Sequence, residues 1–247
     1  DIAPCPKAPV PAQLIELMAL RKLHLRQEAT GDPSKRCFRD DLVESAAASS
    51  GLWLLLRSKE YLKPDAKDFT GLRWGDITFK DAARNELQPH EVTPEGVHAA
   101  TYSLISTKNS FGRCTRTLAA NAENTACPVR LVAQLYQLLY KQTRRKPDPA
   151  QPVFQYADGT VMRRDRMSLL LREFIKACKL DSRLFASHSL RRGGCVVYHA
   201  NNIPLETIKR MGRWESDAVL LYIHDTDSDK TQLMADCFKK LPKFELH

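Results

Sequence analysis

The side chains most suited to chemistry fall in four short segments. The first is Ser187-His188-Ser189-Leu190-Arg191-Arg192-Gly193-Gly194. With Ser187 as a helix cap, His188 and Arg191 stand at i and i+3 on the first turn. The unpaired N–H groups and the dipole of that turn favour an anion, so the pair reads as a phosphate site, or else as a solvated basic helix face. The second is Gly212-Arg213-Trp214-Glu215-Ser216-Asp217, followed by an apolar run that contains Tyr222. A tyrosine there is ordinarily a packed core residue with its hydroxyl satisfied. The third is Leu55-Leu56-Arg57-Ser58-Lys59-Glu60. An arginine straight after leucines is costly to bury unless paired or bound to an anion, and Glu60 is the evident partner. The fourth is Lys108, in a polar turn between two β-like runs, where a lysine is ordinarily solvated.

Elements of three kinds must position these groups. Apolar residues at helical spacing predict a helix from Ala12 to about Leu25 and another from about Arg39 to Leu62. Runs over Leu72–Phe79, Val97–Ser106 and Arg113–Ala119 predict strands, the last two joined as a hairpin around Lys108. Pro128 opens an amphipathic helix, and a further helix is predicted over Arg164–Lys179. The last third reads as short helices punctuated by Gly193-Gly194, Pro204 and Gly212. The pattern implies a mainly α chain with a small antiparallel β-sheet. Residues 1–11, with four prolines, read as an arm or linker, 12–230 as one domain, and 231–247 as a C-terminal helix or tail.

Composition bounds the partner. The 247 residues carry 38 basic and 29 acidic side chains, a net charge of +9, and 43% are apolar. That apolar share excludes global disorder. The most apolar stretch, Gly51–Leu56, is far short of the ~20 residues that span a bilayer. Seven scattered cysteines without a C-x-x-C pair argue for a reducing compartment and against a zinc knuckle. The positive excess points to a polyanion.

Taken in chain order, Leu56-Arg57-x-x-Glu60, the hairpin Lys108, His188-x-x-Arg191, Gly212-Arg213-Trp214 and Tyr222-Ile223 resemble the catalytic domain of tyrosine recombinases, the phage-integrase family. Segments such as Cys127-Pro128-Val129-Arg130 and Gly212–Ala218 look most like recombinases of the eukaryotic Crypton and DIRS-like mobile elements. The resemblance implies Tyr222 as nucleophile, Arg57 and Arg191 as the phosphate clamp, Lys108 as general acid and His188 as acid/base neighbour, with Glu60 holding Arg57. Two features depart from the family's pattern. The position nine before the tyrosine, usually His or Trp, is Arg213 here and Trp214 is eight before, so either fills the role. A longer gap after Arg57 makes Arg73 a rival first arginine, although Glu60 follows Arg57 at the family's spacing.

This set implies phosphodiester transfer without metal, cofactor or ATP. Planar arginine forks neutralise the phosphoryl oxygens, Lys108 protonates the 5′ oxygen, and a covalent 3′-phosphotyrosine conserves the bond for rejoining. The implied partner is double-stranded DNA, with self-association from dimer to tetramer on it and location in the nucleus, or in the cytoplasm of a prokaryote. Arg144, Arg145, Lys146, Arg163 and Arg164 are candidate contacts to the DNA backbone. A type IB topoisomerase and a catalytically inactive DNA-binding protein are the rival readings. The apolar stripe Leu233, Met234, Cys237, Phe238 and Leu241 predicts a tail helix. The resemblance implies its exchange between subunits, the alternative being that it folds back over its own core.

Overall fold

The computed structural model describes residues 8–16, 18–19, 38–64, 69–105, 113–179, 181–214 and 216–223. Residues 12–16 and 18–19 are helical. Helix α1 (Phe38–Trp53) is the axis of the fold. Its run of Ala46, Ala47, Ala48, Ser49, Ser50 and Gly51 is buried, and such small side chains let neighbouring helices approach closely. Helix α2 (Pro128–Thr143) packs on one side of it and α4 (His188–Ala200) on another. Asp40 and Asp41 lie in the first turn of α1, where the dipole favours them. The buried Glu44 is held by Arg166 at 2.7 Å.

Strands β1 (Ile77–Lys80), β2 (Ala99–Ile105) and β3 (Arg113–Ala119) form one antiparallel sheet in that order. Its register pairs Ile77 with Tyr102, Ala99 with Ala119 and Ile105 with Arg113. Phe79 meets Tyr136 of α2 edge to face at 5.4 Å, and Trp74 meets it at 5.6 Å. These aromatic contacts seat the sheet on the helical layer. Helix α3 (Arg164–Ala177) buries Met167, Leu170, Leu171 and Ile175, an i, i+3, i+4, i+8 stripe.

Three local differences from the sequence reading have physical causes. The helix expected to reach Leu62 ends at Trp53 because Leu55 adopts a left-handed backbone at φ 51°. Leu54 to Leu56 therefore turn into the core, and Arg57 leaves from a turn rather than from a helix. The expected strand from Leu72 begins only at Ile77, since Trp74–Asp76 is a 3-10 turn closed by the Asp76 carboxylate on the Arg73 N–H at 3.0 Å. Residues 8–11 of the proline-bearing lead form no helix or strand and are buried against the domain.

That lead crosses the back of α4. The Ala8 N–H donates to Leu184 O at 2.8 Å, and the Val10 N–H donates to Ser189 O at 3.0 Å. A Cβ on Gly193 would overlap the Val10 carbonyl, and one on Gly194 would overlap the Leu52 carbonyl of α1. The two consecutive glycines let backbone close on α4 from two sides, a packing that any side chain would prevent.

A second, smaller core lies beyond α4. Leu55, Cys195, Ile208, Val219 and Ile223 bury together, from α4, α5 (Leu205–Gly212) and the segment of α6 (Leu220–Ile223). Val219 and Ile223 lie three residues before and one after Tyr222, so α6 is anchored by its apolar side and Tyr222 is left partly exposed. Fully burying side chains of this size contributes ~1.5–3 kcal/mol each.

Candidate active site

Three of the four sequence segments meet where α4 begins. His188 opens that helix. Ser187 does not cap it: its backbone is already helical and its side chain makes no capping bond. The Ser189 hydroxyl accepts from the Ala186 N–H at 3.1 Å instead. His188 Nε2 lies 3.2 Å from the Tyr222 hydroxyl, with the two rings edge to face at 5.9 Å. Trp214 meets the Tyr222 ring from another direction, centroids 5.8 Å apart.

Arg191 points into the protein and is 1% exposed. Its Nη1 donates to Leu55 O and its Nη2 to Gly212 O at 2.5 Å, while Trp214 lies 3.9 Å over the guanidinium. Burial, with Arg57 and Arg213 nearby, pushes its pKa down to about 10, so it stays cationic at neutral pH.

Glu60 organises the front of the site. Its carboxylate accepts the Arg57 backbone N–H at 2.7 Å and Arg57 Nη1 at 3.1 Å. It also accepts Arg213 Nη2 at 2.5 Å. Arg213 stands in the left-handed region, φ 60°, where α5 stops, and its own carbonyl accepts Arg57 Nη2 at 3.0 Å. Arg213 is thus turned back onto Glu60, and Trp214 is the residue beside the tyrosine. Arg73, the rival first arginine, is exposed and donates to Phe69 O at 3.2 Å, whereas Arg57 joins the cluster.

Among the described residues, the cations Arg57, Arg191 and Arg213 thus outnumber the nearby carboxylate, Glu60, which pairs with the first and the last of them. That imbalance shows at His188, whose pKa is lowered to about 4 by burial and then by Arg191, Arg192 and Arg57. The residue keeps an exposed edge to water, so the three neighbouring arginines are the durable part of that shift. The imidazole is neutral at pH 7, and Nε2 is able to accept the phenolic proton.

Lys108 lies in residues 106–112 and the tail 231–247 beyond residue 223, both outside the described residues. Arg144, Arg145 and Lys146 are exposed where α2 ends, Arg144 in a left-handed cap at φ 56°. Arg163 and Arg164 are exposed at the start of α3, Arg163 paired with Asp165 at 3.2 Å.

Two residues not singled out from sequence belong to the site. Arg192 lies over the Tyr222 ring, its Cζ 4.9 Å from the centroid. Its signal was available, since it is i+4 from His188 on a helix. Arg116 of β3 donates through Nε to Met211 O at 3.2 Å and through Nη2 to Arg210 O, bracing the end of α5 just before Arg213. No sequence pattern marks that long-range contact.

Two solved structures of the site-specific recombinase XerH share this fold. One is a post-cleavage complex with palindromic difH substrate, with a TM-score of 0.56 at 11% identity over 94% of this chain and 54% of that one. The other is a pre-cleavage complex with difH, with a TM-score of 0.55 at 11% identity over 93% and 53%. The chain spans about half the length of these structures. Its fold, helices around a small antiparallel sheet, is that of the tyrosine recombinases. No family model and no curated protein matches the sequence.

Proposed function

We propose that this chain is the catalytic domain of an enzyme that cuts and rejoins DNA through a 3′-phosphotyrosine on Tyr222. The observation that carries the reading is the 3.2 Å approach of His188 Nε2 to the Tyr222 hydroxyl beside the arginines, on a recombinase fold. In the reaction, the phenolic proton passes to the neutral His188 and the oxygen bonds to phosphorus. The 5′ oxygen departs with a proton, for which Lys108 on the β2–β3 hairpin is the proposed donor. Arg57 and Arg191 are the proposed clamp for the non-bridging oxygens. Arg191 lies buried under Trp214 with its fork on two backbone carbonyls, so in this reading local rearrangement precedes its contact with phosphate.

The reaction is proposed to exchange strands between DNA molecules of a mobile element related to the Crypton and DIRS-like groups, in the nucleus, with protomers assembling on the DNA. Arg144, Arg145, Lys146, Arg163 and Arg164 are proposed contacts to the DNA backbone. The test is trapping on nicked duplexes, whose cut strand loses the end needed for rejoining. A covalent adduct that maps to Tyr222 is the expected product. Intact DNA, or an adduct on another residue, overturns the reading.

A further inference from the structure

Consecutive arginines on α4 have different tasks. Arg191 donates to the carbonyls of Leu55 and Gly212 and lies under Trp214. Arg192 is 4% exposed, and its guanidinium lies over the face of the Tyr222 ring, 4.9 Å from the centroid. The ring also makes T-shaped contacts with His188, centroids 5.9 Å apart, and with Trp214 at 5.8 Å.

The apolar anchors Val219 and Ile223 hold the backbone of α6 on either side of Tyr222, and the tyrosine itself packs partly against the same small core. Among the described residues, the direction of its ring is then set by the side chains that meet it, His188, Trp214 and Arg192.

We propose that Arg192 is a positioning residue for the nucleophile: laid across the ring, it holds the Tyr222 hydroxyl toward His188. The attraction is electrostatic, between a cation and the negative face of an aromatic ring. It strengthens as the phenol gives up its proton and the ring becomes richer in electrons. His188 and Arg192, at i and i+4, therefore grip the same side chain at its hydroxyl and at its face, from one rigid helix. The inference rests on the reading of Tyr222 as nucleophile.

The experiment compares the full chain with R192M, which keeps length but not charge, and R192K, which keeps charge. Adduct formation on nicked DNA is followed in single turnover at saturating protein, with DNA affinity measured in parallel. The ring signals of Tyr222, assigned by their loss in Y222F, are followed by NMR without DNA. R192M is expected to slow adduct formation about tenfold with affinity within about twofold, and to broaden or split the Tyr222 signals. R192K is expected to restore most of both. Native rate in R192M overturns the proposal. So does a loss explained by weaker DNA binding, or an equal loss in R192K, since either makes Arg192 a direct phosphate ligand. If the native chain forms no adduct, the reading of Tyr222 falls, while the ring signals still decide: unchanged Tyr222 signals in R192M overturn the positioning. Should R192M lose its thermal transition, R192Q takes its place in each comparison.

Discussion

His188 Nε2 and the Tyr222 hydroxyl stand 3.2 Å apart although 34 residues separate them in sequence. The contact joins the start of α4 to α6, the helical segment that follows α5. Removing the imidazole leaves the phenolic proton without an acceptor at that place. H188A is expected to slow adduct formation by about a hundredfold to ten-thousandfold, the usual range for a lost general acid or base. DNA affinity, measured by fluorescence anisotropy, stays close to native.

The lowered pKa of His188, about 4 against an ordinary ~6.5, makes a prediction with a definite sign. As pH falls, the unfolded chain takes up this proton first. The contribution of His188 to stability is therefore complete above about pH 6.5 and is lost as pH falls toward 4. Thermal melts of H188N lack that component of the acid loss. Imidazole NMR signals titrate near pH 4 in the free protein and at higher pH once an oxyanion such as vanadate binds among the arginines, because the bound charge offsets them.

Glu60 has a side chain that is 1% exposed and faces both Arg57 and Arg213. E60Q keeps the shape and removes the one carboxylate in this group. Breaking a buried ion pair from one side costs ~3–5 kcal/mol, and urea unfolding is expected to report a loss of that order. Added phosphate or vanadate restores part of the stability in E60Q, since it replaces the missing counter-charge.

On helix propensity alone, G193A stabilises α4 by up to ~1 kcal/mol. The contact with Val10 reverses the sign. The added Cβ overlaps the Val10 carbonyl, so either the lead segment lifts or the helix shifts. G193A is expected to lower stability by ~1–3 kcal/mol, as overpacking does. Limited proteolysis shows faster cutting near residues 8–12.

DNA binding is expected to weaken steeply with salt. Replacing Arg144, Arg145, Arg163 or Arg164 singly by alanine lowers the slope of log K against log salt by about one for each true phosphate contact. A variant whose slope is unchanged does not touch the backbone at that residue.

Much of the fold was legible because local rules agree with it. Pro128 at the first turn of α2 and the apolar stripe of α3 mark those helices directly. The sheet follows from runs of β-formers on either side of the hairpin. The break after Trp53 was not legible, because Leu55 in a left-handed backbone is held by tertiary burial against its own preference. Within the site, Arg57, Glu60, His188, Trp214 and Tyr222 were named from motif order, and the structure brings them together. The inward turn of Arg191 was not visible, because it depends on carbonyls of Leu55 and Gly212 that only the folded chain places there. Arg213 was left between two roles, and its pairing with Glu60 reflects the left-handed stop of α5.

The lead segment that crosses α4 gives the molecule a load path. Tension on the chain ahead of Ala8 passes into two backbone hydrogen bonds, at Leu184 O and Ser189 O, the second one residue from His188. With Val10 pressed on Gly193 and Leu52 pressed on Gly194, the lead and α1 clasp from two sides the helix that carries His188. An ångström of displacement there turns a 3.2 Å contact between His188 and Tyr222 into no bond at all.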